Sequence, residues 1–131
     1  MKAIMYKSAP SDGIDKSEFQ ELLQRSQERN QLYDITGYIF LSKTKIVQPI
    51  EGNDDMVDRL YNRITTDNRH ENVMTILDKK IEKRTMIGWD MAIIDFWNAK
   101  KDKFDEFSLL DKLYSSTDID LIKAFQAEIL S

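Results

Sequence analysis

Two runs rich in Ile, Val, Tyr and Phe, Ile35–Leu41 and Ile46–Ile50, flank the polar tetrad Ser42–Lys45. Four residues is a hairpin-length link, so the runs read as adjacent antiparallel strands. Helical patterns enclose the hairpin. Upstream, Asp15 and Glu18 form a capping-box pair, and Phe19, Leu22, Leu23 and Ser26 recur at helical spacing toward an end near Arg29. Downstream, Gly52 and Asn53 break the strand, and Met56, Val57, Leu60, Tyr61 and Ile64 mark a second amphipathic helix ending near Thr66. Short strand signals stand at Ala3–Tyr6, Val73–Leu77 and Trp89–Phe96.

The order is therefore strand, helix, strand, strand, helix, strand, strand. It predicts an α+β fold: a ferredoxin-like βαββαβ core with an added strand, giving a five-stranded mixed sheet. Strands 1 and 3 are expected side by side and parallel at the centre, with Tyr6 and Gln48 on neighbouring strands and both helices on one face. The tail carries two further helical stripes, Phe104, Phe107, Leu110 and Tyr114, then Leu121, Ile122, Phe125 and Ile129, the second opened by a Thr117–Asp120 capping box. Packed together, they can cover the other face of the sheet. The expected division is residues 1–97 as core and 98–131 as helical extension.

Composition narrows the function. The net charge is −4 and the nearest basic run, Lys79–Arg84, is broken by Ile81 and Glu82, which argues against direct nucleic-acid binding. There is no cysteine, so disulfides, thiolate catalysis and zinc–thiolate sites are excluded. A single histidine, His70, cannot build a multi-histidine metal site, and no metal is expected. No apolar run reaches membrane-spanning length and no signal-peptide core is seen, so a cytoplasmic location is expected.

Two amides look out of place. Asn30 ends the first helix, and Gln48 sits in the middle of a strand that should pack a core. A buried amide needs hydrogen-bond partners or costs ~1–3 kcal/mol. Gln48 either points to solvent, caps a backbone group, or meets a polar, planar ligand. Ser26 is small enough on its buried stripe to admit a close neighbour. Arg59 and Arg63, one turn apart, form a solvated face or share one neighbour.

The chain from Tyr6 to Phe96 resembles a BLUF domain, the blue-light sensor that uses a bound flavin. The matching pieces, in order, are Y-x-S at Tyr6–Ser8, R-N-x-x-x-x-I-T-G at Arg29–Gly37 and Q-x-x-E-G at Gln48–Gly52. They are followed by D-x-R-H at Asp67–His70 and W-x-M at Trp89–Met91. The resemblance implies a noncovalent flavin, FAD with FMN or riboflavin as alternatives, lying between the two core helices. It places Asn30 at the C4 carbonyl and N3, Arg29 at the C2 carbonyl, and Leu22, Ser26, Ile35 and Ile64 around the ring. Arg63, Asp67 and His70 fall near the ribityl–phosphate end. It implies that Tyr6 donates an electron and a proton, that Gln48 relays and then rearranges its hydrogen bonds, and that absorption shifts to the red.

By the same resemblance Trp89 or Met91 approaches the glutamine, and the last strand and tail helices carry the signal outward. This is photochemical switching, not enzymatic turnover. With no effector domain in the sequence, output is expected to pass through a protein partner or a homo-oligomer. Two departures stand out: Pro49 directly follows Gln48, and Ile46 and Val47 replace frequent aromatics. A light-insensitive flavin or ligand module of the same fold is the alternative. A small ferredoxin-like enzyme such as an acylphosphatase is poorly supported, because no glycine-rich phosphate loop follows strand 1.

Overall fold

A computed structural model describes residues 1–86, 90–95, 97 and 119–129. The elements are β1 (Lys2–Pro10), α1 (Lys16–Leu32), β2 (Thr36–Leu41), β3 (Ile46–Gly52), α2 (Asp54–Thr66), β4 (His70–Lys80), β5 (Asp90–Asp95) and α3 (Ile119–Ile129). They form the expected five-stranded mixed sheet, in the order β4-β1-β3-β2-β5. Several boundaries move, the fourth strand extending in both directions from Val73–Leu77 to His70–Lys80. The first strand is nine residues long rather than brief, and α1 runs beyond Arg29 to Leu32. Asp15 caps α1 as expected, its side chain accepting from the Glu18 N–H at 2.8 Å. Asn53 does the same for α2 through the Asp55 N–H at 3.0 Å.

The direction of the central pair corrects the expectation. β1 and β3 are antiparallel, with Tyr6 directly opposite Gln48; the parallel pair is β2 with β5. The crossover through α1 makes β1 and β2 run the same way, and the tight hairpin then reverses β3. A strand inserted beside β1 from that hairpin must oppose it.

Strand alternation splits the interior into two layers. Ile4, Tyr6, Ile39, Leu41, Ile46 and Ile50 pack with Phe19 and Leu23 of α1 and Val57 and Leu60 of α2. On the opposite face Met5, Tyr38, Phe40, Val47 and Ile94 pack with Leu121, Phe125 and Ile129 of α3. Phe125 meets Tyr38 edge to face, with centroids 4.9 Å apart. Lys7 and Lys45 tie α3 down through Glu128: an ion pair with its carboxylate at 3.1 Å and a hydrogen bond to its carbonyl at 2.6 Å. The helical stripe expected at Phe104–Tyr114 and the Thr117 cap lie outside the described residues.

Pro49 leaves a visible mark. Between the pairs Gly37–Ile50 and Phe40–Val47 the β2–β3 ladder is interrupted opposite Gln48 and Pro49, as a strand residue without an N–H requires. The backbones come close there. A Cβ on Gly37 would lie 2.3 Å from the Pro49 carbonyl oxygen, so only glycine fits.

On the α3 face Glu51 is fully buried. Its carboxylate accepts from the Thr36 hydroxyl at 2.9 Å, the Thr85 N–H and hydroxyl at 2.9 Å, and the Met86 N–H at 2.6 Å. Arg84 reinforces the same corner, donating to Thr36 Oγ1 and to the Asp34 carbonyl and carboxylate. The segment before β5 is thereby bolted to β2 and β3.

Candidate functional site

The groove between α1 and α2, floored by β1 and β3, encloses about 650 Å³ of empty space, part of it open to solvent. Its floor is the Tyr6–Gln48 pair. Both residues are almost fully buried, and the Tyr6 phenol donates a hydrogen bond to Gln48 Oε1. Cross-strand register puts the two side chains on the same face, and the gap that Pro49 leaves in the ladder lies beside the glutamine.

Burial, helped by the negative charge of Tyr61 when ionised and of Asp67, pushes the Tyr6 phenol well above its ordinary value of 10.0. The hydroxyl therefore stays protonated. Tyr61 and His70 pack against the Tyr6 ring edge to face, at 5.8 and 6.1 Å.

Asn30 stands on the wall opposite. It is 1 % exposed, and neither its amide oxygen nor its amide nitrogen has a hydrogen-bond partner. The helix end that presents it is closed by backbone bonds, Tyr33 N–H to the Arg29 carbonyl and Ile35 N–H to the Asn30 carbonyl, so its side chain has no capping duty. A buried carboxamide with both ends open is complementary to a planar group carrying a carbonyl beside an N–H.

At the far end the polar residues are already satisfied. Arg69 holds Asp67 through its Nε and Nη2, both at 2.9 Å. Burial pushes the Asp67 carboxyl up, but the Arg69 hydrogen bonds and the charges of Arg69 and His70 outweigh it and hold it below the ordinary carboxylate range. His70 lies between the Ile64 carbonyl and the Ser8 hydroxyl, the latter 2.8 Å from Nδ1. A carbonyl can only accept, so Nε2 carries the proton and Nδ1 faces Ser8.

Of the residues expected from the sequence, Tyr6, Leu22, Ser26, Arg29, Asn30, Gln48, Arg63, Ile64, Asp67 and His70 line this one groove. Ile35 does not. It is buried in the same core layer, beside Gly52. Trp89 and the side chain of Met91 lie outside the described residues.

Ile46, one of the two residues standing where aromatics are frequent, also lines the groove, and five further lining residues are not among the expected site residues: Phe19, Leu23, Ile39, Leu60 and Arg69. The apolar ones are visible in the periodicity only as core. Arg69 stands within D-x-R-H, and its role depends on folding back onto Asp67. Trp97 is an unforeseen neighbour, packing on Phe19 at 5.8 Å.

Comparison with known proteins follows the same outline. The family model for sensors of blue-light using FAD matches residues 1–92. A curated Escherichia coli relative, the blue light- and temperature-regulated antirepressor BluF, is 26% identical over 77 residues, covering 59% of this chain and 19% of its own length. The dark-state structure of the BLUF protein BlrB superposes with a TM-score of 0.67 at 26% identity, covering 71% of this chain and 70% of that one. Klebsiella pneumoniae BlrP1 with FMN and cyclic diGMP superposes with a TM-score of 0.84 at 22% identity, covering 99% of this chain and 34% of that one, which establishes likeness of fold. The chain thus spans about a fifth of the curated relative and a third of BlrP1.

Proposed function

Since the chain belongs to the BLUF family of blue-light sensors that use FAD, we propose that it binds a flavin in the groove between α1 and α2 and switches through the Tyr6–Gln48 pair. Asn30 carries this reading: an unpartnered buried carboxamide fits the carbonyl and N–H on a flavin's pyrimidine edge. Leu22, Ser26 and Ile64 would hold the ring's faces, and Arg29 its second carbonyl. When bound, the flavin supplies blue-light absorption and an excited state that accepts an electron.

Tyr6 is the electron source in this scheme. Burial keeps its phenol neutral in the dark, so electron and proton leave together, the proton along the existing hydrogen bond to Gln48 Oε1. Gln48 is the memory. A carboxamide can present its oxygen or its nitrogen to the same neighbour, so two hydrogen-bond patterns exist in one place. The electron and proton would both return to Tyr6 once Gln48 has rearranged, so no group is consumed and the cycle is a switch without turnover.

The output we assign to β5 and the C-terminal helical region, acting on a protein partner or a second copy of the chain. β5 is hydrogen-bonded to β2, and α3 packs beneath the strands that carry the pair. In this reading residues 1–97 sense light and 98–131 transmit the change. The test is a visible spectrum of the purified protein, in darkness and after blue light. A yellow protein with a small, reversible red shift is expected. A colourless protein would refute flavin binding, and a yellow one with no shift would leave only a light-insensitive flavoprotein.

A further inference from the structure

Among the described residues, three of the four ladders of the sheet are irregular close to the level of Tyr6 and Gln48. The exception is the ladder that joins the two: β1 and β3 pair without a break from Lys2–Gly52 to Ser8–Ile46. β4 skips Ile76 between Leu77, the partner of Met5, and Thr75, the partner of Tyr6. β5 skips Met91 between its pairs with Gly37 and Tyr38. Between these lies the β2–β3 gap beside Gln48.

The irregularities on the two sides of the switch pair differ in kind. On the tyrosine side the skipped residue is braced: Thr75 shares a hydrogen bond with the Tyr61 hydroxyl, and the Tyr61 ring packs on Tyr6. On the glutamine side no residue is inserted. The register is the same before the gap, at Gly37–Ile50, as after it, at Phe40–Val47, so only bonds are missing. Nor have the strands parted, since the Pro49 carbonyl presses on Gly37. What the ladder lacks is the N–H that proline cannot supply. Proline also restricts the residue before it to extended angles, but a strand residue adopts those anyway, so the lost donor is the effect that remains.

We propose that Pro49 sets how long the rearranged state of Gln48 lasts. With the ladder open on the β2 side, β3 yields more easily as the amide reverses, and the dark pattern returns sooner than it would from a continuous ladder. This rests on the flavin switch proposed above. Pro49 is a positioning residue: buried, paired with Met5 on the α3 face and absent from the groove lining, it reaches the amide through backbone alone.

The experiment uses the full chain with its flavin and follows the return of the red shift in darkness after a blue-light pulse. Pro49→Val should leave the light-minus-dark spectrum unchanged and slow the return about fivefold, the factor that one net backbone hydrogen bond is worth. Pro49→Ala restores the same N–H without a branched side chain and should also slow it, which separates the bond from packing and serves if the larger residue prevents folding. The amide introduced at position 49 should be protected from hydrogen exchange. A protected amide with unchanged or faster recovery overturns the role of Pro49, and so does an amide that exchanges freely. An unaltered chain with no reversible red shift overturns the flavin switch itself, and Pro49 then has no lifetime to set.

Discussion

Tyr6 and Gln48 are 42 residues apart in the chain and directly opposite each other in the sheet, the phenol donating to the amide oxygen. The pair forms because a helical crossover and a hairpin place β3 antiparallel beside β1 with matching pleat. If light is read here, removing the phenol oxygen should stop the switch and spare the pocket, since the ring remains to fill its place. Tyr6→Phe should fold and stay yellow but lose the reversible red shift. An undiminished light-minus-dark difference spectrum in that variant would exclude Tyr6 as donor.

Asn30 gives a prediction with opposite signs for the empty and filled protein. Its amide is buried without partners, and burying it that way costs about 1–3 kcal/mol. Asn30→Leu should therefore raise the stability of the flavin-free chain, by about 1 kcal/mol in urea unfolding, while weakening flavin binding more than tenfold. A variant that loses stability yet keeps the cofactor would show that Asn30 serves the fold.

The Tyr6 phenol also sets a pH dependence. Its pKa is raised in the folded chain, so the folded state keeps a proton that the unfolded state releases above its ordinary value of 10.0. The stabilisation is fully present below that pH and declines as pH rises toward the higher folded value. Thermal melts from pH 8 to 11 should fall more steeply for the unaltered chain than for Tyr6→Phe. Parallel curves would mean that the phenol titrates as if exposed.

Glu51 is the strongest structural prediction. Glu51→Ala strips the Thr85 and Met86 N–H groups of their acceptor and leaves a void, and should cost about 3 kcal/mol. Glu51→Gln keeps the shape but supplies donors where donors already point, so it should fall between the two. Chemical denaturation of both variants would check the order; a neutral Glu51→Ala would contradict the buried clamp.

Local pattern carried much of this architecture. Asp15 and Glu18 announce the start of α1, the hairpin runs are read from Ile, Val, Tyr and Phe, and four of the short motif pieces bring seven lining residues to one groove. What the pattern lacks is direction and reach. Periodicity says that Tyr6 and Gln48 occupy strands, but whether those strands run together or opposed follows from the whole path of the chain, and the parallel expectation failed on that point. Ile35 belongs to the same layer as the groove residues, yet it is packed among them in the core and does not reach the groove's lining. The orphaned amide of Asn30 and the folding back of Arg69 onto Asp67 are properties of assembled neighbours, which no linear spacing contains.

β3 shows Gln48 to the helices α1 and α2 and, three residues on, Glu51 to the opposite layer, where the carboxylate grips the backbone leading toward β5. A stiff strand gripped on both sides behaves as a rocker: it cannot tilt under one hand without lifting the other. Rearrangement at the glutamine would then reach the far surface through the Glu51 clamp and the Val47 contact with α3, and a partner waiting there could register the change without touching the chromophore.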